Sequence, residues 1–397
     1  MTGFKGTMAA TGQIKPPSIM HVLLSMVVGG AEKLVYDLVR HPAFAECRPV
    51  ICCLDAVGDL GEKLRQQGYM IHLKERRSGL DLSVVPWLVD IIRREKVDIV
   101  HAHQYTPLFY SVPAALLAGR LRVVYTEHGR LHPDSSSWKR QLFNPLLALG
   151  VDHLVSISSS TAKAMAKYDH LPLRRIKVIH NGVDFSRLNP AVDLPVKRRE
   201  LGLSPGCRII GTAARLNEIK NIPMMLRVFQ LVLKSVPDTC LLIAGQGERL
   251  DALKAYAHEL GIGERVKFLG LRFDMPEIYQ LFEVFLLTSF TEGISVTLLE
   301  AMGSGVPCVV TDVGGNGEVL TGGRTGYLTP LGSDAVMAER VVELLSDAGR
   351  SAEISENARR SVSGRFSFDA MLERYRNECY LHSRDHNSPP PFGAAAT

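Results

Sequence analysis

Short apolar runs alternate along the chain with longer stretches whose apolar residues recur every three or four positions. This is the pattern of strands joined by helical crossovers, and therefore of parallel sheets. In the first half, runs at 19–26, 48–54, 70–73, 99–101, 122–126, 153–156 and 177–180 predict strands, with helical stretches between them, for example 31–39, 82–95 and 159–167. The stretch 181–198 carries Asn-Gly, Asn-Pro and Leu-Pro without a period and predicts a linker. A second series follows, with strands at 208–213, 240–244, 266–269, 284–287 and 308–311 and helices near 224–234, 248–260, 276–282 and 336–345. One more helix, 369–381, precedes Ser-Pro-Pro-Pro and an Ala-rich end whose composition predicts disorder. The expected architecture is α/β, with two doubly wound domains of similar size facing across a cleft, where open sheets of this kind place their ligands. The expected division is a flexible 1–17, an N-terminal domain 18–190, a C-terminal domain 191–366, a helix 367–382 and a disordered tail 383–397.

Composition narrows the class without naming a chemistry. The 397 residues are 46% hydrophobic and 22% charged, which describes a globular protein with a large core. Lys and Arg exceed Asp and Glu by 46 to 41, and no basic run is long enough for a nucleic-acid tail, so nucleic acid is not an expected partner. The seven cysteines lack C-x-x-C or Cys/His metal spacing and sit mostly in apolar runs, so reduced, buried thiols and the cytosol are expected. The run 19–28 is too short to span a bilayer, contains His21 and leads straight into Gly29-Gly30, so it reads as a strand rather than a signal segment. There is no G-x-S-x-G elbow and no P-loop.

The segment from Ser289 to Pro307 carries the sharpest chemistry. Glu292 lies on a loop just before Ser295, a good helix N-cap, while Glu300 falls within the apolar run that ends at Gly305 and Pro307. Eight positions at about 100° each leave the two carboxylates about 80° apart on a helix, so each would grip a different part of one ligand. Between them, the main-chain N–H groups of Gly293, Ile294, Ser295 and Val296 begin a helix and suit an anion such as a diphosphate. Arg215 and Lys220 follow the first strand of the second series, at the carboxyl end of its sheet, and two cations there suit the same diphosphate; the alternative is a solvated surface pair. Gly29-Gly30 and Gly314-Gly315 are either close-approach turns or ordinary tight turns, and Gly245-Gln-Gly247 is a weak match to a dinucleotide fingerprint. His101, His103 and His128 cluster after strands of the first series. No zinc-like ligand set accompanies them, no metal is expected, and His128 is the candidate to touch substrate.

Together these residues resemble the retaining, nucleotide-sugar-dependent glycosyltransferases of family 4, which have the GT-B fold of two Rossmann-like domains. The resemblance runs over about residues 18–382. It rests on Gly29-Gly30-Ala31-Glu32, Thr126-Glu127-His128-Gly129, Ile179 through Asp184, Arg215 with Lys220, Ala244 through Gly247, Val266 through Gly270, and the E-x7-E element Glu292 to Glu300. It implies that Glu300 holds the donor ribose, Glu292 the transferred sugar, Arg215 and Lys220 the diphosphate, Gly29 or Gly30 the diphosphate from the other domain, main chain near Leu271 and Arg272 the base, and His128 the sugar. The implied donor is a UDP- or GDP-linked sugar, used without a divalent metal. The implied reaction is front-face transfer to a carbohydrate or lipid-linked acceptor, with the leaving phosphate oxygen helping to deprotonate the acceptor hydroxyl. Asn221 departs from the pattern, since many relatives have Gly after the Lys.

Three rivals stay open at this stage. A carboxylate-pair glycosidase leaves Arg215 and Lys220 unexplained; the others are a sugar-nucleotide epimerase of the same fold and a non-catalytic sugar-nucleotide-binding protein. Arg120, Arg122, Arg130, Lys139, Arg140 and the lysines of 163–167 beside apolar 142–149 read first as a solvated charged surface, with peripheral contact with the inner face of a membrane as the alternative.

Overall fold

The computed structural model describes residues 16–44, 46–129 and 138–381. The expected flexible start through residue 15, the tail from 382 onward, Arg130 and the Lys139 side chain lie outside the described residues. The first sheet is built from β1 (Ser18–Ser25), β2 (Arg48–Ala56), β3 (Met70–Leu73), β4 (Ile99–His103), β5 (Arg122–Glu127), β6 (His153–Ser156) and β7 (Ile176–Val178). The second is built from β8 (Arg208–Ala213), β9 (Thr239–Ala244), β10 (Val266–Gly270), β11 (Val284–Leu287), β12 (Cys308–Thr311) and β13 (Tyr327–Thr329). Their orders are β3-β2-β1-β4-β5-β6-β7 and β10-β9-β8-β11-β12-β13, and every pairing is parallel. Helices cover both faces, which is why central strands such as β9 and β11 read as unbroken buried runs instead of alternating.

This wiring positions the site. Strand order reverses between β1 and β4 in one sheet and between β8 and β11 in the other, so the loops leaving these strands diverge and open a crevice at the carboxyl edge. The loop after β1 carries Gly29-Gly30, the loop after β8 carries Arg215 and Lys220, and the loop after β11 carries Glu292.

Several elements differ from the sequence expectation. The helices Gly58–Gln66 and Trp138–Leu149 fill intervals between strands where helical stretches are expected, while strand β13 and the helices Tyr105–Ala118, Leu194–Glu200 and Ala348–Arg365 are additional. The expected linker closes with Leu194–Glu200, whose N-cap Asp193 accepts from Val196 N. The C-terminal helix Phe368–Tyr375 continues through a π-helical turn, Arg376–Tyr380, and belongs to the first domain: Phe368, Met371, Leu372, Tyr375, Cys379 and Tyr380 are buried in one cluster with Ile19, Leu23, Ile99 and Val124. The chain therefore passes between domains twice. The two passages are bonded to each other, Val183 N donating to Phe366 O at 2.9 Å and Phe368 N to Val183 O at 3.0 Å.

The expectation of reduced thiols throughout is corrected at one pair. Cys207 and Cys240, brought together because the approach to β8 runs alongside the start of β9, form a disulfide, while Cys47, Cys52, Cys53, Cys308 and Cys379 are free and buried. Among the described residues, no helix is long and apolar enough to cross a membrane.

Candidate active site

The second-domain wall is assembled around Lys220 and Glu292. Asn217 caps the turn Glu218–Lys220, and Asn221 then takes a left-handed conformation (φ 46°) that lets the helix Ile222–Ser235 start in a new direction. Asn is the non-glycine residue that tolerates this region best, which explains why the position can depart from Gly. Lys220 Nζ lies 2.6 Å from Glu292 Oε1, and Ser289 Oγ donates to the same oxygen at 2.6 Å. Ser295 caps the helix Val296–Gly303, accepting from Leu298 N at 3.3 Å, so Glu292 sits on the loop and Glu300 on the helix. The buried Tyr279 hydroxyl donates to Glu300 Oε2 at 2.9 Å. Burial and the adjacent Glu300 carboxylate hold that phenol well above its usual range, so it stays a donor.

Residues of the first domain meet this wall directly. Lys33 Nζ, on the helix Gly30–Arg40, lies 3.5 Å from Glu300 Oε1 and 2.9 Å from Asp37. Burial alone would lower the Lys33 ammonium, but Glu300 and Asp37 more than offset this and raise it. Arg215 Nη2 donates to Val28 O at 3.2 Å across the cleft. A Cβ at Gly29 would lie 2.6 Å from Arg215 Nη2 and 2.4 Å from Glu32 Oε2, so a side chain there would displace the guanidinium. Burial raises the Glu32 carboxyl, partly offset by its own main-chain N–H and by Arg215. Gly293 approaches the first domain just as closely, since its Cβ would stand 3.0 Å from His128 O and 2.5 Å from Ile157 Cδ1. Beside it, Asn181 Nδ2 donates to Ile294 O at 3.2 Å.

The remaining glycine motifs back these loops. At Gly314 a Cβ would strike Glu292 O at 1.9 Å, and at Gly245 it would strike Ala214 O at the same distance. The apparent dinucleotide fingerprint is therefore a seat for the Arg215 loop, tied by Leu216 N to Gln246 O at 2.9 Å. Behind them Glu318, from the helix Asn316–Val319, accepts from Ser159 N at 3.0 Å, Ser160 N at 2.9 Å and His180 Nε2 at 3.2 Å, capping a first-domain helix from the second domain. Burial opposes its charge, but these donors prevail and hold the carboxyl down to about 2.

The Arg272 guanidinium is already engaged, held by Asp274 at 2.8 Å and Glu200 at 2.8 Å. The histidines join into a chain that includes one the motif reading passed over, His21. Nitrogens of His21, His101 and His103 lie within 4.8 Å of one another, yet both ring nitrogens of His101 and of His103 already face hydrogen-bond partners. Burial pushes His21 down to about 3 and His128 to about 4, so all four rings are neutral at ordinary pH.

Lys33, Tyr279, Ser289 and Glu318 were missed as site residues by sequence reasoning. Only Glu318 carried a local signal, following Gly314-Gly315 at a strand end; the others acquire their place through contacts 3 to 267 positions away.

Comparison with known proteins places the chain. The model of "Glycosyltransferase Family 4" matches residues 28–187 and that of "Glycosyl transferases group 1" matches residues 195–361. N-acetyl-alpha-D-glucosaminyl L-malate synthase of Bacillus anthracis is 28% identical over 85% of this chain and 96% of its own length. EpsD of Bacillus subtilis, designated a glycosyltransferase, is 30% identical over 75% of this chain and 81% of its own length. The crystal structure of Anabaena HepE in complex with UDP and glucose superposes with a TM-score of 0.81 at 22% identity, covering 91% of this chain and 98% of that one. Two parallel-sheet Rossmann-like domains in this arrangement are the GT-B fold, and the chain belongs to the family 4 type of glycosyltransferases.

Proposed function

We propose that this glycosyltransferase moves a sugar from a nucleotide-diphosphate sugar to an acceptor hydroxyl with retention of configuration, in the biosynthesis of a polysaccharide, exopolysaccharide or glycolipid. The observation that carries the reading is the convergence of Lys220, Arg215, Glu292 and Glu300 on the crevice where Gly29, Lys33 and His128 arrive from the other domain. In this reading the second domain holds the donor and the first receives the acceptor, with the division near residue 190. Arg215 and Lys220 clamp the diphosphate, and the N–H groups of Gly293, Ile294, Ser295 and Val296 face it. Glu300 holds the ribose, Glu292 and His128 hold the sugar, main chain at Leu271 and Arg272 meets the base, and Gly29-Gly30 closes over the diphosphate.

As the bond from the anomeric carbon to the phosphate oxygen breaks, negative charge grows on the diphosphate, and fixed cations stabilise it more than they stabilise the ground state. The acceptor oxygen bonds to the same face of the anomeric carbon, and its proton passes to the departing phosphate oxygen. Neither step calls on a metal, so chelation with EDTA is expected to leave turnover unchanged. UDP is the favoured nucleotide, since HepE was crystallised with UDP and glucose.

A thermal-shift screen of UDP-, GDP- and ADP-sugars tests the donor, because a ligand bound only to the folded state raises its melting temperature. No shift with any of them overturns the reading. The anomeric coupling constant of the product tests retention, and an inverted product overturns it. An epimerase would instead return an altered sugar nucleotide with no acceptor present.

A membrane-bound acceptor is favoured by one observation. On the helix Trp138–Leu149, Trp138, Leu142, Leu146 and Leu149 are 68%, 58%, 62% and 63% exposed and share one stripe at four-, four- and three-residue spacing. Cosedimentation with anionic vesicles at low salt is expected, and Leu142→Glu with Leu146→Glu should abolish it; protein that stays in the supernatant overturns the contact.

A further inference from the structure

The reaction uses His128 and leaves His21, His101 and His103 behind it unexplained; His101 is held by Tyr380 and Thr126, and the other two line up with His128. His21 on β1 and His103 on β4 fall on the same face of the first sheet, because His21 is in register with His101, two residues before His103. His21 Nδ1 lies 3.0 Å from His103 Nε2, and His103 Nδ1 lies 2.9 Å from His128 Nε2. The ring centroids are 5.3 and 5.2 Å apart and the planes 26° and 25° apart, the geometry of imidazoles joined edge to edge. The two ends of this row, His21 Nε2 and His128 Nδ1, are buried and have no hydrogen-bond partner among the described residues.

A neutral imidazole carries one N–H, so three of them in a row have only two orderings. Either every ring is protonated at Nδ1, which makes the outer end of His128 a donor, or every ring is protonated at Nε2, which makes it an acceptor. Each ordering leaves one N–H unmatched. The second would strand it at His21, which is 1% exposed in the sheet interior, where nothing can satisfy it. The first places it on His128, which is partly exposed where His21 is not and whose carbonyl faces Gly293 across the cleft, so the outer end is the one that a ligand in the cleft can approach.

We propose that His21 and His103 are positioning residues that hold His128 in the Nδ1–H form, so that it presents a hydrogen-bond donor to a hydroxyl of the donor sugar. The last clause rests on the placement of His128 beside the sugar; the proton order does not. His103 carries most of the effect, since it alone touches His128, and His21 contributes by accepting no alternative order at the inner end.

Long-range proton–nitrogen correlation spectra of histidine-labelled protein read the tautomer of each ring. In the ligand-free protein His21, His103 and His128 are expected as one tautomer, Nδ1–H. His103→Phe keeps a planar ring but supplies no donor, and should release His128 to a mixture rich in Nε2–H. His103→Asn places an amide N–H close to the position of Nδ1 and should restore the Nδ1–H form. Calorimetry with UDP, and with the UDP-sugar that gives the largest thermal shift, reads the consequence. In His103→Phe the affinity for UDP should hold while kcat/KM for that UDP-sugar falls about tenfold, with recovery in His103→Asn. Mixed tautomers in the native protein, or an unchanged His128 ring in folded His103→Phe, overturn the proton order. A shifted tautomer with unchanged kinetics overturns the positioning role, and if His128→Ala is also without effect on kcat/KM, it is the placement of His128 beside the sugar that has failed.

Discussion

The two walls of the cleft are made in different ways. On the second domain, the Arg215 and Glu292 loops are pressed against neighbouring loops at Gly245 and Gly314, Glu300 stands on the helix that follows, and the charges are partnered: Lys220 with Glu292, Glu300 with Tyr279. On the first domain, most contributions are main chain at Val28, Gly29 and His128, backed by neutral imidazoles in the sheet, and the charged Lys33 reaches across to Glu300. A diphosphate needs fixed charge, and charge in a cleft is stable only when held and paired. A wall that must meet and release hydroxyls can instead rely on neutral donors and close approach.

The contrast can be broken most severely at Lys220. Lys220→Ala removes one cation of the clamp and leaves Glu292 unpaired, and steady-state kinetics should show kcat lowered by roughly a hundredfold, consistent with loss of one preorganised charge; turnover within a factor of three of the native value would remove it from the clamp. Next comes Glu300→Ala, where calorimetry should find UDP bound about tenfold more weakly, the size of a lost charge-assisted hydrogen bond. If UDP affinity stays put, the ribose lies elsewhere.

The seats of the walls give smaller effects. Asn221→Ala should lower unfolding stability in urea by about 1 kcal/mol, the cost of a left-handed conformation for a residue with an ordinary Cβ, while Asn221→Gly should stay within about 0.5 kcal/mol. Equal losses in both would mean that the Asn side chain, not the backbone, matters there. The smallest effect is a pH dependence at the interdomain cap. Folding depresses Glu318 from its ordinary 4.5 to about 2, so its stabilisation is complete above pH 4.5 and fades as pH falls toward 2. The gap in melting temperature between native protein and Glu318→Gln should therefore be widest near neutrality and shrink below pH 4.5. A gap constant down to pH 3 would show that the cap acts by geometry alone.

What was legible in the sequence follows the same division. Strands buried on both faces announce themselves as apolar runs, and every strand but β13 was expected; three residues between Gly326 and Pro330 make no run. The helix Tyr105–Ala118 escaped because it is apolar almost all round and carries Pro113, so it has no period to detect. The helix Ala348–Arg365 escaped for the opposite reason, burying only Ile354, Ala358 and Val362. In the site, residues whose spacing is local, Glu292 to Glu300 and Arg215 to Lys220, could be grouped from the chain alone. Lys33, Tyr279 and His21 could not, because each looks like an ordinary member of its own helix or strand until a distant segment arrives. His21 gave one faint sign, a titratable ring in the middle of a strand expected to be buried.

The return of residues 368–380 to the first domain has a mechanical consequence. A domain pair joined by one strand of chain can twist about that strand as well as open. Here two strands join the halves and are bonded to each other at Val183, Phe366 and Phe368. Two bonded passages resist a twist of one half past the other more than a single passage would, and favour a hinge that opens at the Glu292 side, like the pin of a door. Arg215 would then meet the Val28–Gly29 loop at the same point on every closure. It also means that cutting the chain near residue 190 would not yield an intact first domain, because residues 368–380, which belong to its core, would leave with the other half.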